Sequence, residues 1–345
     1  MLEIDGSQKS GSGTILRLSI ALSAILQRSL HIFNIRQNRP QPGLRPQHLE
    51  AVLTAAKLCN AKIEGVTPGS RELWFKPGEI GNGHFEAEIG TAGSIPMLLT
   101  AVLPICFFAK DDINLHVMKG GTDVSHSPTV NYLRTVFLPV LGRMNFCASI
   151  TVQKYGYYPR GNGEVMMNTK PSRFPQPIQL EYFGKLSSIK GVSVCTFLSE
   201  KRVAERQANA AKNYLSERGY ASDIQIVNDR SNSLQKGSSI VLFAETDTGA
   251  IIGADAIGEL GKTSEAVGAE AAEKLVAEIS AKPTVDDHLA DMLIPYFALT
   301  EGHSALLTKI VSDHLKTNIW LSETILGTRF DIKKVNSLYK IEKVG

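Results

Sequence analysis

The sequence predicts an α+β protein: three repeated βαβαββ units forming a large domain, with a smaller α/β domain inserted in the third repeat. Three observations carry that prediction. Residues 1–80 and 81–170 each run through the order strand, helix, strand, helix, strand, strand. Such a period, roughly 80 residues, is that of stacked α+β units sharing a sheet-and-helix core. Near Lys185 the texture changes to alternating strands and a charged helix, and a paired-helix pattern resumes after residue 262. Finally, 345 residues that are 43% apolar and 21% charged supply more than one core and exclude global disorder.

Taken in order, the first unit opens with a strand at Leu2–Asp5, a Gly/Ser turn, and an apolar helix over Ile15–Leu26. A strand at Leu30–Ile35 leads into a polar Arg/Pro loop, and Pro46 suits the first turn of a helix reaching Cys59. Strands near Lys62–Val66 and Glu72–Phe75 close the unit around a Pro-Gly-Ser turn. The second unit repeats the order: a strand at His84–Ile89, an apolar helix, a strand at Ile113–Met118, a helix over Thr129–Leu141, then strands at Ala148–Gln153 and Glu164–Asn168. In the insertion we expect a strand at Gly191–Phe197, a helix over Val203–Glu217, and strands near Ile224 and Ile240. The Ala-rich helix from Thr263 and the segment Asp286–Leu299 are read as the third unit's helix pair. The large domain is thus expected at 1–183 and 263–345, and the inserted domain at 184–262.

Charge narrows the function. With 37 basic and 34 acidic residues the net charge is +3, so a nucleic-acid site must be a local cluster, not a global field. The four cysteines stand far apart with no C-x-x-C pair, which argues against a zinc knuckle or disulfide framework and fits a reducing compartment. The N-terminus lacks a basic stretch followed by a clean apolar one, and the longest near-apolar run, Ile95–Phe108, falls short of the ~20 residues that span a bilayer. The expectation is a soluble, cytoplasmic protein.

Four constellations carry chemistry. The loop from Arg36 to His48 sets Arg36, Arg39, Arg45, Gln47 and His48 among three prolines, with Arg17 on the preceding helix. Guanidinium groups match phosphate oxygens bidentately, and a proline-braced loop holds them at low ordering cost. A solvated charged loop is the even alternative. The turn Gln8–Thr14, at a strand-to-helix junction, offers glycines and helix amides to an anion, although tight packing explains it as well. The loop Gly120–Pro128 lies between a strand and a helix, where ligand-contacting loops sit, with Ser127 placed to cap the helix. His314 stands in HLKTN, between a helix and the strand-like IWLSETIL. A lone histidine is more often structural than catalytic, and no triad or metal spacing accompanies it. His288 and Asp291, three apart on one helix face, suit a surface as readily as a ligand.

Read together, IDGSxxxGxGxILR, IRxNRPxPGLxxQHL, IGTAGS, KGGTDV, GYYPRGNGEV, VAER, DHLAD and HLKTN stand in one order along nearly the whole chain. In this the sequence resembles the RNA 3′-terminal phosphate cyclase family. The resemblance implies three βαβαββ units plus an inserted domain, in agreement with the repeat. It also implies ATP-dependent conversion of an RNA 3′-phosphate to a 2′,3′-cyclic phosphate. The implied route has a histidine attack the α-phosphorus of ATP, pass AMP to the RNA 3′-phosphate, and let the 2′-hydroxyl expel AMP; neutral imidazole suits that attack. The nucleophile falls on His314. Phosphate and RNA contacts fall on Arg17, Arg36, Arg39 and Gln47, and nucleotide contacts on Thr100, Pro128, His288 and Asp291.

This chain departs from the family where a glutamate binds a divalent metal (Mg or Mn): the position holds Ser10, a poorer ligand for a hard cation. The family glutamine is Thr100 here, and Pro-Pro-x-Asp becomes Pro128, Thr129, Val130 and Asn131. The competing reading is a non-catalytic, cyclase-like RNA-binding factor in ribosome assembly or RNA processing. That branch is expected to lack the histidine, which is present here. An enolpyruvyl-transferase-like enzyme shares only the repeated unit, and the motif strings argue against it.

Overall fold

The protein is described here by a computed structural model covering residues 1–344. Strands β1 (Leu2–Asp5), β2 (Leu30–Phe33), β3 (Lys62–Glu64) and β4 (Leu73–Lys76) form a sheet in the order β1-β2-β4-β3, with β1 parallel to β2 and the other pairs antiparallel. Strands β5 (Gly83–Glu88), β6 (Ile113–Gly120), β7 (Ala148–Lys154) and β8 (Gly163–Thr169) repeat that pattern as β5-β6-β8-β7. Alternation sets one face of each inward: in β4, Leu73 and Phe75 are buried while Trp74 and Lys76 face solvent.

Helices fill the space between the sheets. Helix α1 (Gly13–Leu26) packs against α2 (Pro46–Leu58), α3 (Ile95–Phe107) and the helix Asp313–Leu326. The helix expected at Thr129–Leu141 is present but composite. It comprises α4 (Val130–Tyr132), a π-helical stretch (Leu133–Phe137) and α5 (Leu138–Arg143). Its cap is Thr129, whose hydroxyl accepts from the Tyr132 amide, and not Ser127 as expected; Ser127 turns its hydroxyl to Ser94 instead.

The segment expected to form the insertion contains a sheet of β9 (Leu186–Thr196), β10 (Asp223–Asp229), β11 (Gly237–Thr246) and β12 (Ile251–Ile257), ordered β10-β9-β11-β12. Sequence reading missed β12. Helix α6 (Val203–Ser216) and helix α7 (Ser264–Ala281) cover the sheet. That packing corrects the expectation for the Ala-rich helix: Val267, Ala271, Leu275 and Ile279 of α7 share a core with Ala208, Leu215, Ile240 and Leu242. The helix belongs with the small sheet because small residues let it approach α6 closely. A Cβ on Gly268 would stand 2.0 Å from the Gln207 carbonyl oxygen.

The C-terminal part holds α8 (Asp287–Leu299), β13 (Ser304–Thr308), α9 (Asp313–Leu326), β14 (Arg329–Val335) and β15 (Leu338–Val344). The strands are ordered β13-β15-β14, and an isolated parallel bridge from Gln179 to Ala305 flanks β13. IWLSETIL, expected as strand-like, lies inside α9. Ile319, Ser322 and Ile325 are buried at helical spacing, and that tertiary burial outweighs the β-leaning residue types. The helix opens at Ser312, which accepts from the Leu315 amide, and stops at Gly327 with φ 72°. All four cysteines are free, and among the described residues no helix is long and apolar enough to cross a membrane.

The close crossing of α6 and α7 yields a test. Replacing Gly268 with alanine forces the helices apart, an overpacking change costing about 1–3 kcal/mol. Urea denaturation should show a lowered midpoint; a midpoint equal to wild type contradicts this account of the crossing.

Candidate active site

The nine residues that the family resemblance singles out line one cleft of about 820 Å³: Arg17, Arg36, Arg39, Gln47, Thr100, Pro128, His288, Asp291 and His314; Arg45 of the same loop is not among its lining residues. The first turns of three capped helices border it. Ser12 caps α1 through the Thr14 amide, Ser94 caps α3 through the Met97 amide, and Ser312 caps α9. Their amide ends carry partial positive charge, which favours an anion between them.

His314 occupies the first turn of α9 and is exposed to the cleft. Its Nδ1 lies 3.3 Å from the Thr14 hydroxyl, which also accepts from the Arg17 guanidinium at 3.3 Å. Partial burial, then the positive charges of Arg17 and Arg39, lower the imidazole pKa from its ordinary value; Asp313 opposes them. The ring is therefore neutral near pH 7, with Nε2 clear of the Thr14 contact.

The guanidiniums converge without carboxylate partners. Among the described residues the arginine ion pairs are Arg206–Glu265 and Arg218–Glu217, both far along the chain from this loop. Burial and Arg36 push Arg17 down to about 10, so it stays charged at neutral pH. Arg36 adopts φ 55° and donates from Nη1 to the Gln41 and Gly43 carbonyls at 2.7 and 3.0 Å, bracing its own loop. Arg39 is exposed and donates to the Ser10 carbonyl at 3.3 Å. Gln47 faces the Ser94 amide at 3.5 Å.

His48 is the residue whose importance sequence reasoning understated. It is buried beneath α1, and burial with Arg17, Arg36 and Arg45 drives its pKa down to about 3. It fits only because position 13 lacks a side chain: a Cβ there would sit 2.2 Å from His48 Nε2. The small-residue turn thus serves packing and at the same time places Thr14 and Arg17.

Across the cleft, His288 is exposed and Asp291 half-buried on one face of α8. Burial raises Asp291 to about 6, while the Ser312 hydroxyl, donating to Oδ1 at 2.6 Å, favours its charged form. Asn318 donates to the Asp291 carbonyl, tying α8 to α9. Thr100 turns its hydroxyl back to the Met97 carbonyl, and Pro128 stands beside Ser127 on the opposite wall. Sequence reading missed the contribution of the small sheet: Asp255, Glu259, Lys262 and Lys274 also reach the cleft. No signal in the linear order marks them.

The donor set at the expected metal position does not fit a hard divalent cation. Ser10 Oγ is engaged with Ser12 Oγ at 2.9 Å, and its amide donates to Thr317. Among the described residues no three His, Cys, Asp or Glu side chains converge to hold a metal. A neutral hydroxyl already spent on a neighbour is a weak ligand there.

Comparison with known proteins gives the family. Residues 8–332 match the family model described as RNA 3′-terminal phosphate cyclase. Similar proteins bearing that same name include one from Pyrobaculum neutrophilum, 43% identical over 344 residues, covering 100% of this chain and 98% of the relative. Another, from Methanosarcina barkeri, is 42% identical with 99% of each chain covered. A third, from Pyrococcus furiosus, is 44% identical over 333 residues, covering 96% of this chain and 95% of the relative. With the match spanning almost its whole length, the chain belongs to the RNA 3′-terminal phosphate cyclase family.

Proposed function

We propose that this protein uses ATP to convert an RNA 3′-terminal phosphate to a 2′,3′-cyclic phosphate, through a covalent AMP adduct on His314. The observation that carries the proposal is a neutral, accessible imidazole beside arginines that lack carboxylate partners. With Nδ1–H donating to Thr14, the Nε2 lone pair attacks the α-phosphorus of ATP. The bond to the β-phosphate oxygen breaks, and pyrophosphate leaves. An oxygen of the RNA 3′-phosphate then takes AMP from His314. The 2′-hydroxyl attacks the activated phosphorus, AMP departs, and the hydroxyl proton goes to solvent. Arg17, Arg36, Arg39 and Gln47 hold the RNA phosphate, while Thr100, Pro128, His288 and Asp291 flank the nucleotide. No step is routed through a protein-bound metal.

The same reading covers the architecture. The two four-stranded sheets of matching order and the three-stranded sheet β13-β15-β14 are taken as three βαβαββ copies, with the segment at Gln179 as the first strand of the third. The α/β insertion is taken to interrupt that copy and to run on through α7. A non-catalytic RNA-binding role is the weaker reading, since nothing in such a role calls for a nucleophile with a lowered pKa.

Two experiments test the proposal. RNA ending in a 3′-phosphate, incubated with ATP and the protein, should acquire a phosphatase-resistant cyclic end, and His314→Ala should lose at least a hundredfold in rate, the order seen when a covalent nucleophile is removed. Undiminished cyclisation by that variant contradicts the assignment. The adduct-forming step should also be flat across neutral pH and fall only below about pH 6.5, the ordinary histidine value, because the folded pKa lies lower. Arg39→Ala removes one of the charges that lower it, so the acid limb should move to higher pH. A limb unmoved, or moved lower, contradicts the electrostatic argument.

A further inference from the structure

The loop after β7 exposes Tyr158, at 78%, and then Arg160. Facing it, the loop between β10 and β11 exposes Arg230, Leu234 and Lys236, and Phe197 stands at the end of β9. The two loops are fastened together. Gln235 Nε2 donates to the Tyr158 carbonyl at 3.0 Å, the Arg160 amide donates to Gln235 Oε1 at 3.2 Å, and Asn162 Nδ2 donates to Asn232 Oδ1 at 3.1 Å. Beneath them Tyr157 is buried against Gly237, where a Cβ would fall 2.1 Å from its ring. An exposed aromatic side chain is thus mounted on a braced base.

The charges around it are uncompensated. Arg160 and Arg230 are outside the arginine ion pairs, and the lysine pairs of the described residues do not include Lys236. The nearby Asp229 carboxylate is occupied, accepting from the hydroxyls of Thr196 and Ser231. The platform is also continuous with the cleft. Tyr157 bridges to Asp123, the Thr122 amide donates to the Gly156 carbonyl, and the same loop continues to Ser127 and Pro128 on the cleft wall. On the other side Gly161 lies against Thr91 and Ala92, next to Ser94, whose amide faces Gln47.

We propose that this platform receives the RNA strand on the 5′ side of its terminal phosphate. A base stacks on Tyr158 while Arg160, Arg230 and Lys236 follow the backbone phosphates. An aromatic face among unpaired cations suits single-stranded RNA without regard to sequence, since every base has a π-face and every linkage a charge. RNA is favoured over a protein partner because the patch joins the cluster that takes the terminal phosphate. The inference rests on the proposed cyclase reading and extends it from one phosphate to a strand.

The test is fluorescence anisotropy with RNAs of about three and about twelve nucleotides, each ending in a 3′-phosphate or a 3′-hydroxyl, lengths bracketing a single-strand site. The wild-type protein should bind the longer 3′-phosphate RNA roughly tenfold more tightly than the shorter, within the range of one stacked base. Tyr158→Ala should erase that advantage, Tyr158→Phe should keep it, and Arg160→Ala should flatten the salt dependence. Because Tyr158 is exposed, its replacement should leave the melting temperature unchanged. A length advantage intact in Tyr158→Ala and Arg160→Ala overturns the inference and leaves the patch to a protein partner. Equal binding of 3′-phosphate and 3′-hydroxyl ends by the wild type would instead sink the reading of the cleft, and the length comparison separates the two failures.

Discussion

The structure turns on positive charge left without a carboxylate. Arg17 lies in a partly enclosed cleft with Arg36 beside it, and its pKa falls from 12.5 to about 10. That shift marks a guanidinium held out of water beside a like charge, burial being the larger cause. A phosphate would relieve it. Burial and the same field lower the His314 pKa, so one arrangement would favour an anion and keep the imidazole of the proposed nucleophile neutral. The fold maintains this charge by packing: His48, itself forced neutral, wedges under α1 where Gly13 leaves room, and Arg36 is tied to its own loop.

Helix capping converts that charge into a site. Ser12, Ser94 and Ser312 each close the first turn of a helix whose amide end meets the cleft. Ser312 does so while donating its own hydroxyl proton to Asp291, so the helix bearing His314 and the Asp291 carboxylate are tied by one side chain. The α8–α9 contact through Asn318 adds a second tie.

Much of this was legible in the linear order, because the clues were local. The Arg/Pro loop, the Gly/Ser turn and the strand–helix alternation of the first two units are short-range patterns, and their elements stand where expected. What escaped was set by distant partners. Thr14 and His314 are 300 residues apart, and no spacing announces their contact. The apolar stripe of α7 shows that it is buried but not which sheet buries it; small residues facing α6 decide that. IWLSETIL carries β-branched and aromatic types yet folds as helix, since its buried positions recur at helical spacing. Serine is the better cap by type, yet the helix starts one residue after Thr129, whose hydroxyl therefore caps it.

Ser10, Thr100 and the stretch Thr129 to Asn131 set this chain apart from the family pattern while the arginines and His314 stay in place, so the covalent step proposed on His314 is the heart of the account. Its most direct measurement is mass-spectrometric mapping of the protein after incubation with ATP and quenching in alkali, where phosphoramidates survive. The account predicts a single AMP adduct on the peptide containing His314, lost on mild acid treatment. An adduct on a lysine, or an acid-stable one, would contradict it.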